Sequence, residues 1–367
     1  MKRDLKYLIA YMLPMSAYAA VLLQGIWSFS ALALAFGILP LLEQFLETST
    51  HNHTEAEEAS KAGSAFFDVL LYLNLPLLFG LLWLYLSAMT GGGVQLWEMA
   101  GMTLSVGITV GSLGINVAHE LGHRQKLHET LMAKLMLATA LYTHFNIEHN
   151  RGHHRWVATD QDPSSARPGE SIYRFWMRSV WGTYLNAWHL ENDRLRQAGK
   201  PLFSIWNEMI WFQLAHLVYL SLVWWQFGWR GVAFAVAVAV LGFLLLETVN
   251  YIEHYGLRRK RLASGFYEKV TPRHSWNSNH ELGHIFLYEL TRHSDHHFKA
   301  TRKYQVLRHF DESPQLPHGY PASLLLALVP PLWFWVMDRR VREIEMAGGS
   351  ADICIPIKTR LDGLARF

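Results

Sequence analysis

The apolar residues of this chain fall in long unbroken blocks, and that distribution leaves few folds open. Crossing the hydrocarbon core of a bilayer takes about 20 residues of helix. Blocks of about that length lie near residues 8–27, 29–46, 66–89, 94–118, 206–227 and 231–252. Inside a bilayer no water bonds the backbone, so blocks of this kind cross as helices. The expected fold is all-α: an integral membrane bundle of six transmembrane helices with a cytoplasmic helical cap. Composition agrees, because 17% of the 367 residues are charged and 51% are hydrophobic, whereas a soluble domain carries about 25% charged residues. A mean hydropathy of +0.07 is too low for a bundle alone, so a sizeable polar part shares the chain.

Orientation follows from Lys and Arg in the short loops. With the N-terminus inside, the outer loops fall near 28, 90–93 and 228–230, where Arg230 is the one positive charge. The inner segments are the N-terminus, 47–65, 119–205 and 253–367, and they hold nearly all the other Lys and Arg. Both termini are expected in the cytoplasm, which for a bacterial protein means a multi-pass protein of the inner membrane. The chain divides into helices one to four (1–118), a first cytoplasmic segment (119–205), helices five and six (206–252), a cytoplasmic cap (253–345) and a tail or linker (346–367). The first block also has features of a signal peptide, with Lys2, Arg3 and Lys6 ahead of an apolar run and a small-residue Ala17-Tyr18-Ala19 site. It is expected to stay as a span.

Block 129–146 is apolar enough for a seventh span. It separates two histidine clusters that are argued below to share one site, so a helix buried in the protein or lying at the interface is expected instead. Block 321–336 contains Pro330 and Pro331 and reads as an interfacial hairpin or amphipathic piece, not a span. Segment 47–65, with Glu47, Glu55, Glu57 and Glu58, reads as a solvated, mobile connector. The one cysteine, Cys354, excludes a disulfide within the chain and a four-cysteine metal site. No basic stripe is interleaved with aromatics, so nucleic acid is not an expected partner.

Nine of the 20 histidines form four clusters: His119 and His123; His149, His153 and His154; His254; and His293, His296 and His297. Residues at i, i+3 and i+4 share a helix face, so three of these clusters can each aim two or three imidazoles at one point. A lone histidine is usually structural, but four clusters on one membrane face are not a collection of lone histidines. Neutral imidazole suits iron, zinc, copper and nickel. One metal takes about four to six ligands, so two metals account for all nine. Ligating histidines need their outer ring nitrogen tied down, and Glu120, Glu148, Glu253 and Asp295 each lie within two residues of a candidate ligand. Asp160 and Asp162 follow the second cluster. Glu247 sits in the sixth span on the face of His254, where a carboxylate is costly and points to function.

His119-Glu-Leu-Gly-His123 also fits the HExxH pattern of zinc proteases, with Glu120 as general base. The string recurs at His280–His284. A protease needs one such motif and one more ligand, which would leave most of the other clustered histidines idle. His280 and His284 are expected to be structural or supporting, and His51, His53, His128, His144, His189, His216, His274, His309 and His318 to be non-ligands.

HxxxH, HxxxHH and HxxHH boxes after membrane spans resemble the membrane fatty-acid desaturase and hydroxylase superfamily. The match narrows with Asn250-Tyr-Ile-Glu-His-Tyr-Gly-Leu257, Leu290-Thr-Arg-His-Ser-Asp-His-His297 and Glu148-His-Asn-Arg-Gly-His-His154. These strings, with Asn277-Ser-Asn279, Tyr304–Arg308, Pro314–Pro317 and Gly319-Tyr-Pro321, are similar to membrane alkane 1-monooxygenases over about residues 66–340. The resemblance implies a six-span bundle whose nine histidines hold a non-haem di-iron site, with Asn250 among the supporting residues. It implies terminal hydroxylation of medium-chain n-alkanes, with O2 as cosubstrate and electrons from rubredoxin, itself served by a rubredoxin reductase. Thr291 stands where the family usually has Gln, and Phe298-Lys299-Ala300 where a proline-containing turn is expected. Neither departure touches a candidate ligand.

An alkane has no acidic proton and no polar handle, so a redox metal must supply the hard chemistry. Selectivity for the end carbon would come from an apolar tunnel that admits the chain end-on. This chain cannot hold a rubredoxin iron, which needs four cysteines. The basic residues Arg258, Arg259, Lys260 and Arg261 would steer an acidic carrier to the cytoplasmic face. The readings to be set against this one are a fatty-acyl desaturase or hydroxylase, a zinc membrane protease and a metal transporter.

Overall fold

A computed structural model of the protein describes residues 2–347; the tail or linker expected over 346–367 lies, from 348 on, outside the described residues. Those residues form helices and loops, with only isolated β-bridges among them, such as Thr48 with His280. Five helices are long and apolar enough to cross a membrane: Asp4–Leu23, Gly25–Glu43, Ala65–Gly91, Leu96–Gly122 and Glu208–His254. The first two begin earlier than the apolar blocks at 8 and 29. Charged residues enter the first helix because distant partners neutralise them. Asp4 accepts from Lys61 at 2.6 Å, and Lys6 pairs with Glu281.

Glu208–His254 has 47 residues and would extend about 70 Å if straight, more than twice the hydrocarbon thickness of about 30 Å. It is not straight. Gly228 interrupts it at φ 66° and ψ −172°, a conformation that glycine adopts without Cβ strain. The chain then turns back: His216 meets the Thr143 hydroxyl at 2.7 Å, and Tyr142 donates to Glu247 at 2.7 Å. Residues 31 positions apart thus stand at the level of two adjacent residues, and the helix is a hairpin of the two blocks read from the sequence. Trp224, Trp225 and Trp229 at its turn are exposed, as are Trp27 and Trp97 at the neighbouring helix ends. Such a ring of tryptophans suits a membrane–water interface.

Leu96–Gly122 is the most enclosed of the five, with 78% of its apolar window buried. Glycines let its neighbours come close, the way small residues pack membrane helices where no hydrophobic effect drives association. A Cβ on Gly242 would stand 2.6 Å from Val110 Cγ1 and 3.3 Å from the Gly111 nitrogen. Gly242→Val is therefore expected to lower stability by about 1–3 kcal/mol, the usual cost of overpacking. Thermal unfolding in detergent measures this, and an unchanged midpoint would mean the helices do not meet there.

Segment 129–146 is the 13-residue helix Leu127–Thr139, about 20 Å long and too short to cross. Ala133, Met136 and Leu137 are buried and Leu127, Leu131 and Leu135 are exposed, so it packs by one face. A turn with Leu141 at φ 53° then returns the chain to Phe145–Glu148, keeping the first two histidine clusters on one side. Tyr320–Ala327 and Pro330–Met346 meet at 119°, where Pro330 and Pro331 cannot donate the hydrogen bonds a continuous helix needs. The mobile connector expected at 47–65 is instead fastened. Thr54 and Glu57 form a capping box on Glu55–Ala62, and Arg308 donates to Glu58 at 2.7 Å. Glu58 thus meets a cation 250 positions away, which the local sequence does not show.

Candidate metal centre

The nine clustered histidines converge at one end of the bundle. His119 and His123 end the central helix, just after a π-helical turn at Val110–Ile115. His254 is the last residue of Glu208–His254. His149–His153 is itself a π-helical turn between Phe145–Glu148 and His154–Trp156, and His293–Phe298 carries the last three histidines. The side chains sort into two groups, each with its nitrogens within 4.8 Å of one another: His119, His123, His149, His154 and His296; and His153, His254, His293 and His297.

This sorting differs from the expectation that each sequence cluster aims at one point. His149 and His153 part, and His149 joins His154 instead. The π turn bonds i to i+5 and so aligns residues five apart. In the last cluster His293 and His297 share a group at i, i+4, while His296 crosses to the other. The second and fourth clusters therefore tie the two groups together.

The inner nitrogens are packed as ligands are packed. His119 Nε2 lies 2.8 Å from His149 Nε2 and 2.9 Å from His296 Nε2; His154 Nε2 lies 2.9 Å from His149 Nε2. In the second group His293 Nε2 lies 3.2 Å from His254 Nε2 and 2.9 Å from His297 Nε2. Each neutral ring has one N–H to donate, so one nitrogen cannot bond to two like neighbours by protons alone. Ligands at right angles about an ion with bonds of about 2.1 Å would lie about 3 Å apart. The buried Nε2 atoms of His123 and His153 have no hydrogen-bond partner among the described residues. Burial pushes His123 down to about 4 and holds His149, His154, His296 and His297 well below the usual imidazole range, keeping them neutral, the form that binds metal. The donor set fits metal ions.

The carboxylates named from the sequence divide. Asp162 Oδ2 stands 2.9 Å from His153 Nδ1, so it accepts the outer N–H and turns Nε2 inward. Burial opposes a charge on His153, but Asp162 raises it above its ordinary value. Glu253 approaches the inner nitrogen of His293 at 3.2 Å and accepts from the Tyr320 hydroxyl at 2.8 Å. The others face different partners. Arg124 donates to Glu120 at 2.7 Å, Asn186 to Glu148 at 3.1 Å, and Arg302 to Asp295 at 2.7 Å. Glu247 accepts from Tyr142 and Ser179, with Asn250 at 3.4 Å. Asp160 is exposed, 3.9 Å from Arg258.

The second HELGH stands outside both groups. His284 Nδ1 lies 2.7 Å from Thr291 Oγ1 and 3.2 Å from Glu289, and His280 bonds Ser278. His274 is held by Thr271 and Glu268. Of the four basic residues expected to face a carrier, Arg259 turns to the Glu268 and Arg155 carbonyls, while Lys260 and Arg261 are exposed.

An apolar cavity runs from the membrane helices to the histidines. Leu13, Phe36, Ile108, Leu245 and Phe286 line its apolar walls, and His119, His149 and His293 reach it. Sequence reasoning named no lining residue, because the walls come from segments far apart in the chain. It also gave no role to Tyr320, although the Gly319-Tyr-Pro321 string contains it.

Fold and site define a class: a helical membrane protein with paired polyhistidine groups at the helix ends. The Fatty acid desaturase family matches residues 95–324. The chain is 43% identical over 321 residues to "Alkane 1-monooxygenase 2" of Pseudomonas aeruginosa, covering 86% of this chain and 84% of that one. It is 39% identical over 346 residues to "Alkane 1-monooxygenase" of Pseudomonas putida, covering 94% and 85%. With "Alkane 1-monooxygenase 2" of Alcanivorax borkumensis the figures are 38% over 337 residues, 90% and 87%. The chain belongs to the alkane 1-monooxygenase group of the fatty acid desaturase family.

Proposed function

We propose that this protein inserts one oxygen atom of O2 into the terminal C–H bond of medium-chain n-alkanes, giving 1-alkanols. The observation that carries this reading is the apolar cavity ending on His119, His149 and His293. Two iron ions would be held, one by His119, His123, His149, His154 and His296, the other by His153, His254, His293 and His297. Bound iron supplies the redox chemistry and O2 activation that an unactivated C–H bond requires. The chain's own residues do the rest. The cavity walls exclude water and hold the alkane along its length, so that its end faces the histidines. Asp162 keeps the proton of His153 on Nδ1, and Tyr320 positions Glu253 beside His293.

Six spans follow if the Gly228 hairpin counts as two, with the histidines, the cap and both termini on the cytoplasmic side of the bacterial inner membrane. In this reading 1–118, 119–205, 206–252 and 253–345 alternate between membrane and cytoplasmic segments. Rubredoxin is the electron donor, as a separate protein or a fused domain.

A fatty-acyl substrate is disfavoured because, among the described residues, no Lys or Arg lines the cavity, so an anionic headgroup would meet no cation from them there. A zinc protease is disfavoured because Arg124 and the Tyr304 N–H hold Glu120, the residue that would have to activate water. Cells expressing the protein with rubredoxin and its reductase should convert dodecane under heavy-isotope O2 into labelled 1-dodecanol, and omitting rubredoxin should abolish it. New double bonds or hydroxyls in cellular fatty acids without alkanol would overturn the assignment.

A further inference from the structure

Glu43 ends the second membrane helix and is 4% exposed, with its carboxyl in the wall of the cavity that reaches the histidines. Space for it is built in. A Cβ on Gly319 would overlap Glu43 Oε2, and a Cβ on Gly283 would stand 3.5 Å from Oε1. Neither oxygen completes a hydrogen bond among the described residues; the Gly283 backbone N–H leans on the carboxyl outside bonding geometry. Glu120, Glu148, Glu247 and Glu253, also buried, each have a side-chain partner. Glu43, in contrast to these, lines the cavity with both carboxyl oxygens unbonded among the described residues.

A buried carboxyl is costly unless something bonds it, and an n-alkane has nothing to offer. A primary alcohol has: its O–H donates to a carboxylate, and its oxygen accepts from a carboxylic acid. We propose that Glu43 is a binding site for the hydroxyl of a primary alkanol, so that the cavity recognises the polar end of the product as well as its chain. This rests on the hydroxylation reading above. It gives the cavity a means of telling alkanol from alkane, and the new hydroxyl a partner away from the histidines.

Infrared difference spectra of the full-length protein, taken on adding 1-dodecanol or dodecane, test the proposal. The band assigned to Glu43, identified by its loss in Glu43→Gln, should shift with 1-dodecanol and not with dodecane. Glu43→Leu should weaken 1-dodecanol binding about tenfold, the worth of one hydrogen bond, and leave dodecane binding within twofold. No shift, an equal shift with both ligands, or a band that responds only to solvent deuterium exchange (water as the partner) overturns the proposal. Turnover of dodecane by the wild-type protein decides the hydroxylation reading separately. Alkanol formation with an unresponsive Glu43 sinks this proposal alone, and absence of both alkanol formation and ligand binding sinks the two together.

Discussion

Changing His149 or His293 to alanine is expected to reduce 1-dodecanol formation by at least ~100-fold, the upper end of what losing even a supporting residue costs a metal site. Each belongs to a different group, and both reach the cavity. Iron per protein should fall in both variants. Within each group the rings meet closely: His149 Nε2 touches His119 and His154, and His293 Nε2 touches His254 and His297. Removing either ring leaves neighbouring lone pairs buried without the ion they were arranged around. His280→Ala is the control, since His280 lies outside both groups and its side chain bonds Ser278; activity within a few-fold of wild type is expected. Iron analysis and alkanol yield on the same purified samples decide the matter. A His293→Ala protein with full iron and full activity would break the two-ion assignment.

What the sequence made legible is what physical length or local spacing controls. Bilayer thickness fixes the length of apolar blocks, so the long apolar helices were readable within a few residues, as was the short loop near 228–230 between two of them. The exceptions sit where a distant partner changes the local cost. Lys6 enters the first helix because Glu281 meets it, a pairing across most of the chain. The nine histidines were legible as a set, but not their division, because spacing was read at 3.6 residues per turn and His149–His153 winds as a π turn. Likewise, carboxylates near histidines in sequence need not touch them. Glu120 and Asp295 are claimed by Arg124 and Arg302, whereas Asp162, nine positions from His153, reaches it. Glu43 escaped notice because it reads as one carboxylate near the end of the apolar block 29–46, and the packing of Gly283 and Gly319 against it is what reveals its surroundings.

Asp162→Ala is expected to weaken metal retention by roughly 10–100-fold, the usual effect of removing the carboxylate behind a ligating histidine. Asp162 Oδ2 accepts from His153 Nδ1, and in doing so it selects the tautomer whose Nε2 lone pair faces His254 and His297. Without it the proton can move to Nε2, and the ring can no longer ligate until that proton leaves. The same carboxylate also accepts from the Ser164 N–H at 2.9 Å and from the Ser165 hydroxyl, so part of any loss could come from a loosened turn. Ser165→Ala separates the two effects: it removes the side-chain loop contact and keeps the histidine contact. If the tautomer argument holds, Asp162→Ala loses iron to a chelator far faster than wild type, Ser165→Ala stays close to wild type, and Asp162→Asn, which keeps an acceptor but no charge, falls between. Equal losses in Asp162→Ala and Ser165→Ala would assign Asp162 to the turn. Wild-type iron retention in Asp162→Ala would remove it from the metal site altogether.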